Sequence, residues 1–293
     1  MKQFFKLTLF LLFSVAAHAQ DSSLLKMLDD SMTVNAAPDR AIATFKATQI
    51  INTPTVESPG KQVLQFLIMH RFGRLNEGAY ALFGLDNATI RFGLDYGITS
   101  RLSVGVGRSS LDKTFDGSLK WKALRQAKGT MPISLSLYGL IANSTLRQPD
   151  KPFLNARYRT SYISQLLIAR KMSSRLSLQF SPAWIHYNLV PTPQDNNDIV
   201  ALNIGGRLKL TRSMSVNAEY NYLPGSPMVS SNIYNSLGLG IDMETGGHVF
   251  QLVFTNSGGM IAPYYLGKTD GSWRKGDIYF GFNISRVFNF KKD

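Results

Sequence analysis

Residues 88–98 read Ala-Thr-Ile-Arg-Phe-Gly-Leu-Asp-Tyr-Gly-Ile, and this stretch decides the fold class. Every second residue is apolar, and the residues between them are threonine, arginine, glycine, aspartate and glycine. Side chains of a β-strand alternate between its two faces, so a period of two is typical of a strand whose faces meet different surroundings. The stretch therefore predicts a strand with one apolar face and one polar face.

The same alternation recurs along most of the chain. It is clear over 102–107, 114–122, 200–210, 214–222, 235–243 and 278–284. It is weaker over 61–73, 131–143, 156–171, 175–188 and 247–257. In the first of these weaker ranges Gln65 and Arg71 share a face with Leu67 and Met69, which blurs the pattern. Together with residues 88–98, these ranges predict about 12 strands, with 10 or 14 as the alternatives.

The connections between the predicted strands differ in length in a regular way. Every second connection is short, at 99–101, 172–174, 211–213 and 245–247. The others are longer and polar, at 74–85, 143–155, 190–197, 224–231 and 257–276, while 123–130 is longer than its side predicts. A soluble sandwich also alternates, but short turns at one end and long loops at the other are typical of a transmembrane barrel. We therefore predict an all-β fold, an antiparallel up-and-down transmembrane β-barrel over residues 61–293.

The N-terminus predicts export. Lys2 and Lys6 precede an apolar run over 7–15, and Ala17-His18-Ala19 is a small-x-small cleavage site, so residues 1–19 are typical of a signal peptide. The run is far shorter than the ~20 residues that a spanning helix needs. The chain contains no cysteine, which excludes disulfides, a lipoprotein anchor and thiolate metal sites. We expect the mature chain in the outer membrane of a Gram-negative bacterium.

The charge of the chain predicts its partners. It carries 32 Lys and Arg against 19 Asp and Glu, a formal net charge of +13. Such a surplus favours an anionic partner, namely lipopolysaccharide, lipid headgroups or small anionic solutes, unless it is only a solvated basic surface. Nucleic acid is not expected as a partner of an exported chain. Phe288-Asn289-Phe290, close to the C-terminus, resembles the terminal signal that barrel-assembly machinery reads, so this machinery is a further expected partner.

Residues 20–60 do not follow the rhythm of the barrel. Leu24, Leu25, Leu28 and Met32 have helical spacing, whereas residues 41–51 read as a strand and are followed by prolines at 54 and 59. An additional strand would give an odd number, against the even number typical of bacterial barrels. We therefore expect residues 20–60 to form a short N-terminal helix or periplasmic arm, or a partial plug of the barrel.

Residues 70–126 contain several distinctive short sequence motifs. They include His70-Arg71-Phe72-Gly73, the run Phe83 to Arg91, Gly105-Val106-Gly107-Arg108-Ser109-Ser110, and Lys120 to Gln126. These motifs resemble the sequences of an uncharacterised family of outer-membrane β-barrel proteins of Gram-negative bacteria, known as a domain of unknown function. The resemblance covers most of the mature chain and implies a barrel in the outer membrane. It supplies no catalytic or binding residues.

The sequence offers little catalytic chemistry. His70, at a predicted strand end, is the best candidate for the base of a lipid-modifying enzyme, but no nucleophile motif accompanies it. No group of histidines or acids has the spacing of metal ligands. We therefore expect no catalytic residues, no cofactor and no metal.

The polar faces of the strands are more informative. A charged side chain facing hydrocarbon costs ~2–4 kcal/mol at the midplane, so the charged residues of the strands are expected to face the lumen. The candidate lumen-lining residues are Arg91, Asp95, Asp116, Lys120, Lys122, Arg157, Arg159, Arg207, Lys209 and Glu219, with Asp242 and Asp277 as further acids. They either pair into a network that fills a narrow barrel or, through their positive surplus, select anions in a small channel.

Three functions follow from these expectations. The favoured one is a narrow pore or transporter for small solutes, with anions suggested by the positive surplus. The alternative is a structural or interaction barrel whose long loops bind surface polymer or a partner. The third is a barrel enzyme that modifies lipids.

Overall fold

The computed structural model describes residues 39–225 and 228–290, which contain a closed antiparallel barrel of twelve strands. Neighbours in the chain are neighbours around the barrel, and the first strand closes against the last. This confirms the predicted fold class and strand number. The strands are β1 (Val63–Arg74), β2 (Ala88–Gly97), β3 (Leu102–Ser109), β4 (Thr114–Leu124), β5 (Ser134–Ser144), β6 (Thr160–Lys171), β7 (Leu176–Tyr187), β8 (Asp198–Lys209), β9 (Met214–Tyr222), β10 (Ser236–Thr245), β11 (His248–Thr255) and β12 (Tyr279–Asn289).

Closure satisfies the backbone of every strand. Leu67 in β1, for example, lies opposite Ser285 in β12 on one side and Gly93 in β2 on the other. Hydrocarbon offers no hydrogen-bond partners, so a sheet that crosses a membrane must have no open edge.

The two faces of the strands meet different surroundings, as the alternation predicts. In β9 the polar residues Ser215, Asn217, Glu219 and Asn221 are buried, and the residues between them are exposed. The outer face of the barrel presents large apolar side chains, among them Phe92, Leu94, Trp121, Trp184 and Ile204. An apolar outer face and an enclosed polar face are what lipid outside and a lumen inside require.

The connections follow the predicted asymmetry with two exceptions. We call the end with residues 98–101, 172–175, 210–213 and 246–247 the turn end, and the end with residues 75–87, 145–159, 188–197, 223–235 and 256–278 the loop end. At the turn end, 125–133 is long, as the sequence already indicates; at the loop end, 110–113 is short. Phe290 N donates to Gln62 O, and Gln62 N donates to Gly97 O, so β1 starts and β12 finishes at the turn end.

Short helices lie in the loop-end connections. They are the 3-10 turns Leu75–Glu77, Ala79–Gly84, Leu111–Lys113 and Trp273–Lys275, and one α-helical turn, α1 (Ala262–Tyr265). Among the described residues, no helix has the length and apolar character needed to cross a membrane. The helical spacing around residues 24–32 lies outside the described residues.

One predicted strand start is wrong, and three candidate lumen residues lie in loops. β6 begins at Thr160 rather than near residue 156, so Arg157 and Arg159 lie in the loop 145–159 and not on the lumen wall. β12 begins at Tyr279, so Asp277 lies in the loop 256–278. There Asp277 accepts a bond from Ser272 N at 3.0 Å and from Asn76 Nδ2 at 2.8 Å. Local turn hydrogen bonds end the ladder earlier at these points than alternation alone suggests.

Two segments of chain occupy the interior of the barrel. One comes from residues 40–60 at the turn end and the other from the loop 256–278 at the loop end. The wall facing the second segment is apolar and includes Ile163, Ala183, Ile185, Ile199 and Ala201. The inner face is thus not polar throughout, since at the loop end of β6 to β8 these apolar residues point inward.

Candidate functional site

Residues 44–57, hereafter the inner hairpin, lie inside the barrel. The chain reaches them from the turn end, where Ala41 N donates to Gln126 O at 2.9 Å. It then reverses: Ile50 N donates to Thr53 O at 2.8 Å, and Thr55 N donates to Thr48 O at 2.9 Å. The inner hairpin therefore enters and leaves at the turn end and places its tip, residues 50–53, deep in the lumen.

Glu219 of β9 holds the tip. Its carboxylate accepts hydrogen bonds from the backbone N–H groups of Ile51, Asn52 and Thr53, at 3.2, 3.0 and 3.0 Å. Glu219 is only 1% exposed, so these bonds take the place of its hydration. Hydrogen bonds to an ionised group are about twice as strong as neutral ones, which makes Glu219 the principal anchor of the tip.

On the opposite wall, β1 and β12 hold the same tip. Arg71 is fully buried and donates through Nη2 to Asn52 Oδ1 and through Nη1 to Asn283 Oδ1, both at 2.9 Å. Asn283 Nδ2 donates in turn to Ile51 O at 3.0 Å, and Gln251 Nε2 of β11 donates to Ile50 O at 3.1 Å. Nearly all the tip's polar contacts are thus made with side chains of the barrel.

The returning arm of the inner hairpin is bound by β4 and β7. Gln179 accepts from Val56 N at 3.0 Å and donates to Pro54 O at 2.8 Å. Lys120 Nζ donates to Thr55 O at 2.9 Å and to Glu57 O at 2.7 Å. Asn203 of β8 donates to Thr53 Oγ1, and Gln65 of β1 donates to Thr48 Oγ1. With Glu244 of β10, which accepts from Lys46, eight strands contribute a side chain to the hairpin's hydrogen bonds.

Glycines of the wall leave room for the two apolar side chains at the tip. A Cβ at Gly205 would lie 2.6 Å from Ile50 Cδ1, and a Cβ at Gly240 would lie 2.6 Å from Ile51 Cδ1. A Cβ at Gly238 would lie 3.0 Å from Ile51 Cγ2. These glycines in β8 and β10 serve close approach of another segment, a common use of glycine within strands.

Most of the predicted lumen-lining residues lie on the inner face. Arg91, Asp116, Lys120, Arg207 and Glu219 are buried there, and Asp95, Lys122 and Lys209 are partly exposed. The structure pairs Arg91 with Asp116 through two bonds, at 2.9 and 2.5 Å, and brings Lys122 to 3.7 Å from Glu57 of the hairpin. Arg207 instead donates to Ser215 at 3.0 Å. Arg157 and Arg159, in their loop, join none of these groups.

The sequence interpretation missed several residues that hold the inner hairpin. They are Gln65, Arg71, Gln179, Asn203, Gln251 and Asn283. Arg71 was visible as a charge within a face that also carries Leu67 and Met69, and that mixture was the available signal. The amides gave none, because a buried glutamine and a solvated one look alike in sequence.

The loop-end half of the lumen is packed differently. α1 and its neighbours Ile261 and Leu266 are buried against the apolar wall, together with Tyr265, which is 1% exposed. At the loop end lies a cavity of about 700 Å³. It is lined by the loops 145–159, 188–197, 223–235 and 256–278, by Asp112, and by the loop-end residues of β4 to β7. A much smaller cavity of about 20 Å³ separates the inner hairpin from α1, with Asn52 on one side and Tyr265 on the other.

A carboxylate joins two of these loops. Asp195 accepts hydrogen bonds from Ser230 Oγ and N, from Val229 N and from Thr192, at 2.6 to 3.0 Å. The bonds from Ser230, followed by those from Thr192, hold the pKa of Asp195 well below its usual range. The loops 188–197 and 223–235 are therefore tied together by a charged group.

Comparison with known proteins agrees with the barrel. A family model described as "Membrane bound beta barrel domain (DUF5777)" matches residues 45–288. No curated protein matches the sequence. Similar solved structures include an outer-membrane channel from Pseudomonas putida F1, with 11% identity, a TM-score of 0.48, and coverage of 79% of this chain and 97% of that one.

Two porins are also similar in structure. The KdgM porin shares 7% identity over 77% of this chain and 99% of its own, with a TM-score of 0.46. The NanC porin shares 8% identity over 78% of this chain and 100% of its own, with a TM-score of 0.45. The family match confirms the resemblance carried by residues 70–126, and it covers both the barrel and most of the inner hairpin. The chain therefore belongs to the membrane-bound β-barrel domain family DUF5777.

Proposed function

We propose that this protein is an outer-membrane channel for small solutes, and that the inner hairpin closes it in the conformation described here. The observation that carries this proposal is the set of contacts that hold the hairpin inside the lumen. A separate segment of chain fills the lumen, and its hydrogen bonds are made with side chains of eight strands that water or a polar solute could also satisfy. Its apolar contacts are fewer and lie mainly against β6 and β11.

The polar side chains that contact the tip of the hairpin support a reversible closure. The tip is held by Glu219, Arg71, Gln251 and Asn283 through directional hydrogen bonds. Exchanging one such bond for bonds to water costs about 0.5–1.5 kcal/mol for a neutral pair and about 1.5–3 kcal/mol for a bond to a charged group. The polar part of this wall stays compatible with water after the hairpin leaves, and the buried apolar residues of the wall that pack against the hairpin are Leu167, Ala169 and Val253.

Release of the inner hairpin would also change the charge of the lumen. It would uncover Arg71, Lys120 and Lys122, which now contact Asn52, Thr55 and Glu57. It would uncover two carboxylates as well: Glu219, which holds the tip, and Glu244, which pairs with Lys46 at 2.7 Å. Cations outnumber acids by three to two among these groups, so we expect a modest preference for anions.

Planar-bilayer recording of a hairpin deletion tests the proposal. In this variant residues 44–57 are replaced by a short Gly-Ser linker. We expect steady conductance, whereas the intact protein stays closed or opens rarely, and we expect a reversal potential that favours anions. A deletion variant that folds, as judged by heat-modifiable gel mobility, but leaves the bilayer sealed would exclude the channel.

A disulfide lock gives the matched control. The chain has no cysteine, so Ile51→Cys with Gly238→Cys introduces a single designed pair. Ile51 Cβ lies 3.2 Å from the position of a Cβ at Gly238, close to the 3.5–4.5 Å that a disulfide needs. The oxidised variant should never open, and reduction should restore openings. Unchanged openings in the oxidised form would show that current does not pass where the hairpin lies.

A second candidate function is an interaction barrel whose loops bind a partner. It is favoured by the apolar packing of the loop 256–278 over β6 to β8, beside which solutes would pass in the proposed channel. The same recordings separate the two functions, since a barrel that only presents loops stays sealed after the hairpin is deleted.

We further propose that the protein reaches the outer membrane through a signal peptide, residues 1–19, and is assembled there by barrel-assembly machinery among lipopolysaccharide. N-terminal sequencing of the mature protein tests this, with Gln20 as the expected first residue. We do not assign a lipid-modifying activity. His70, the candidate base, stacks on Phe282 of the outer face at 4.9 Å.

A further inference from the structure

The cavity at the loop end has the size and lining of a ligand site. Its volume of about 700 Å³ lies within the roughly 300–1,000 Å³ typical of pockets for small molecules. The aromatic rings of Tyr187 and Tyr264 line it, with Val190, Met228 and Pro263 among the apolar residues. Such sites combine an apolar body with a few placed polar groups.

Lys268 is the most distinctive polar group in this cavity. Its ammonium lies 5.1 Å from the centre of the Tyr264 ring and 5.5 Å from that of the Tyr187 ring. The tyrosine hydroxyls are already engaged, Tyr187 with Pro263 O and Tyr264 with Thr114 Oγ1 at 2.6 Å. The two rings are therefore held in place, and the lysine rests against them by cation–π contact.

The charges around the cavity favour an anion. Lys151, Arg159 and Lys268 line it, and none of these three forms an ion pair with a described residue. Of the two acids in the lining, Asp270 is paired with Arg74 at 2.7 Å, and Asp112 faces the Tyr264 hydroxyl. Among the described residues, three cations without an ion pair therefore line the cavity against one such acid, Asp112, and the net charge of these groups is positive.

We propose that this cavity binds an amphipathic organic anion, with its apolar or aromatic body against Tyr187 and Tyr264 and its anionic group at Lys268. Binding at this site does not require the lumen to open. Only the interpretation of the ligand as a substrate class of the channel rests on the proposed function. A ligand in this place would lie on α1 and the loop 256–278, which cover the loop end of the lumen.

Burial lowers the pKa of Lys268 and Asp112 opposes that shift, so a bound anion would favour the charged lysine further. Binding of the anion should therefore weaken as the pH rises through the pKa of this lysine.

Calorimetric titration in nanodiscs tests the inference. The probes are 1-naphthoate and its neutral counterpart 1-naphthamide, with empty nanodiscs as the blank. We expect naphthoate to bind at least tenfold more tightly than naphthamide. Equal affinity, or no binding of naphthoate above the blank, would overturn the proposal.

Two substitutions assign the anionic contact. Lys268→Met should weaken naphthoate binding about tenfold or more and leave naphthamide unchanged, whereas Lys268→Arg should retain the preference for the anion. Lys275→Met is the matched control, because Lys275 also rests on a tyrosine of the loop end, Tyr234, at 6.0 Å, but does not line the cavity. An unchanged naphthoate affinity in Lys268→Met would overturn the assignment, and the Lys268→Arg variant distinguishes loss of charge from misfolding.

The outcome is separable from that of the bilayer recordings. Naphthoate binding with a sealed hairpin deletion would retain the ligand site and exclude the channel. Conductance without naphthoate binding would retain the channel and exclude this substrate class.

Discussion

The inner hairpin and the loop 256–278 both occupy the lumen, but they differ in the balance of polar and apolar contacts that holds them. The hairpin tip is bound by polar and charged side chains such as Glu219 and Arg71. Ile50 and Ile51 pack over glycines and join a smaller apolar cluster against β6 and β11. Around α1, Ile261, Tyr265 and Leu266 pack against the apolar wall of β6 to β8. Hydrogen bonds can be exchanged for water at small net cost, whereas exposed apolar surface costs about 25 cal/mol per Å². We infer that the hairpin is the more readily released of the two segments, and that the loop 256–278 stays packed over β6 to β8 while solutes pass beside it.

The largest effect is expected from disrupting the apolar packing around α1. Tyr265→Ala removes a side chain that is 1% exposed and leaves a cavity in the apolar cluster. Large aromatic residues cost ~3–5 kcal/mol when replaced by alanine in a core, and we expect a loss of stability of that order. The urea midpoint of unfolding in detergent measures it. Tyr80→Ala, at a fully exposed tyrosine, is the control and should leave the midpoint unchanged.

The second effect concerns the anchor of the hairpin. Glu219→Ala removes the acceptor of three backbone N–H groups, and one charged hydrogen bond contributes about 1.5–3 kcal/mol. We expect this loss to raise the open fraction of the channel roughly 10- to 100-fold, measured as open probability in planar bilayers.

Glu244→Gln is the matched control for that anchor. It removes the ion pair with Lys46, whose two side chains are about one-third exposed, and such pairs contribute ~0–1 kcal/mol. If Glu219→Ala opened no more often than Glu244→Gln, the tip would not be held by its carboxylate.

A smaller effect tests the fit of the tip. Gly240→Ala places a Cβ 2.6 Å from Ile51 Cδ1 and 2.9 Å from Leu252 O, and overpacking of this kind costs ~1–3 kcal/mol. We expect more frequent openings, partly reversed by the second substitution Ile51→Ala, since the flexible end of Ile51 accounts for the shorter contact. Gly139→Ala, where the nearest atom is 4.0 Å away, should behave as the intact protein. Additive effects of Gly240→Ala and Ile51→Ala would show that the two residues do not meet.

The smallest effect lies in the loops that flank the cavity. Hydrogen bonds from Ser230 and Thr192 lower the pKa of Asp195 in the folded state, so its contribution is fully present above pH ~4, the ordinary pKa of aspartate. It is lost only as the pH falls through the lowered value. Hydrogen exchange at Val229 and Ser230 should therefore stay slow at pH 4. Asp195→Asn should accelerate that exchange at neutral pH, and Asp198→Asn, at an exposed aspartate paired with His186, should not.

Alternation predicted the barrel because it reports a local property of each strand. Residues 88–98, with their strict period of two, contain β2. Alternation alone placed Glu219 and Arg91 on the inner face. Alternation gave the wrong position where strands end, as at Arg157 and Arg159, because a strand boundary depends on hydrogen bonds made within the loop. The bond from Asn143 Nδ2 to Ala156 O, just ahead of β6, is one of them.

The inner hairpin marks the limit of sequence reasoning. Residues 41–51 read as a strand, an arm or part of a plug, and nothing local distinguishes these. The hairpin's partners, Gln65, Gln179, Glu219 and Asn283, lie on four different strands spread over the chain. They meet only because the sheet closes around the segment.

Alternation along the amino-acid sequence is enough to predict a closed transmembrane barrel, because lipid on one face and a lumen on the other impose a period of two on each strand. Tertiary structure alone decided what fills that lumen, and thus where the candidate gate and the ligand cavity lie. Those features depend on side chains that are distant in the chain and are brought within hydrogen-bond reach by closure of the barrel.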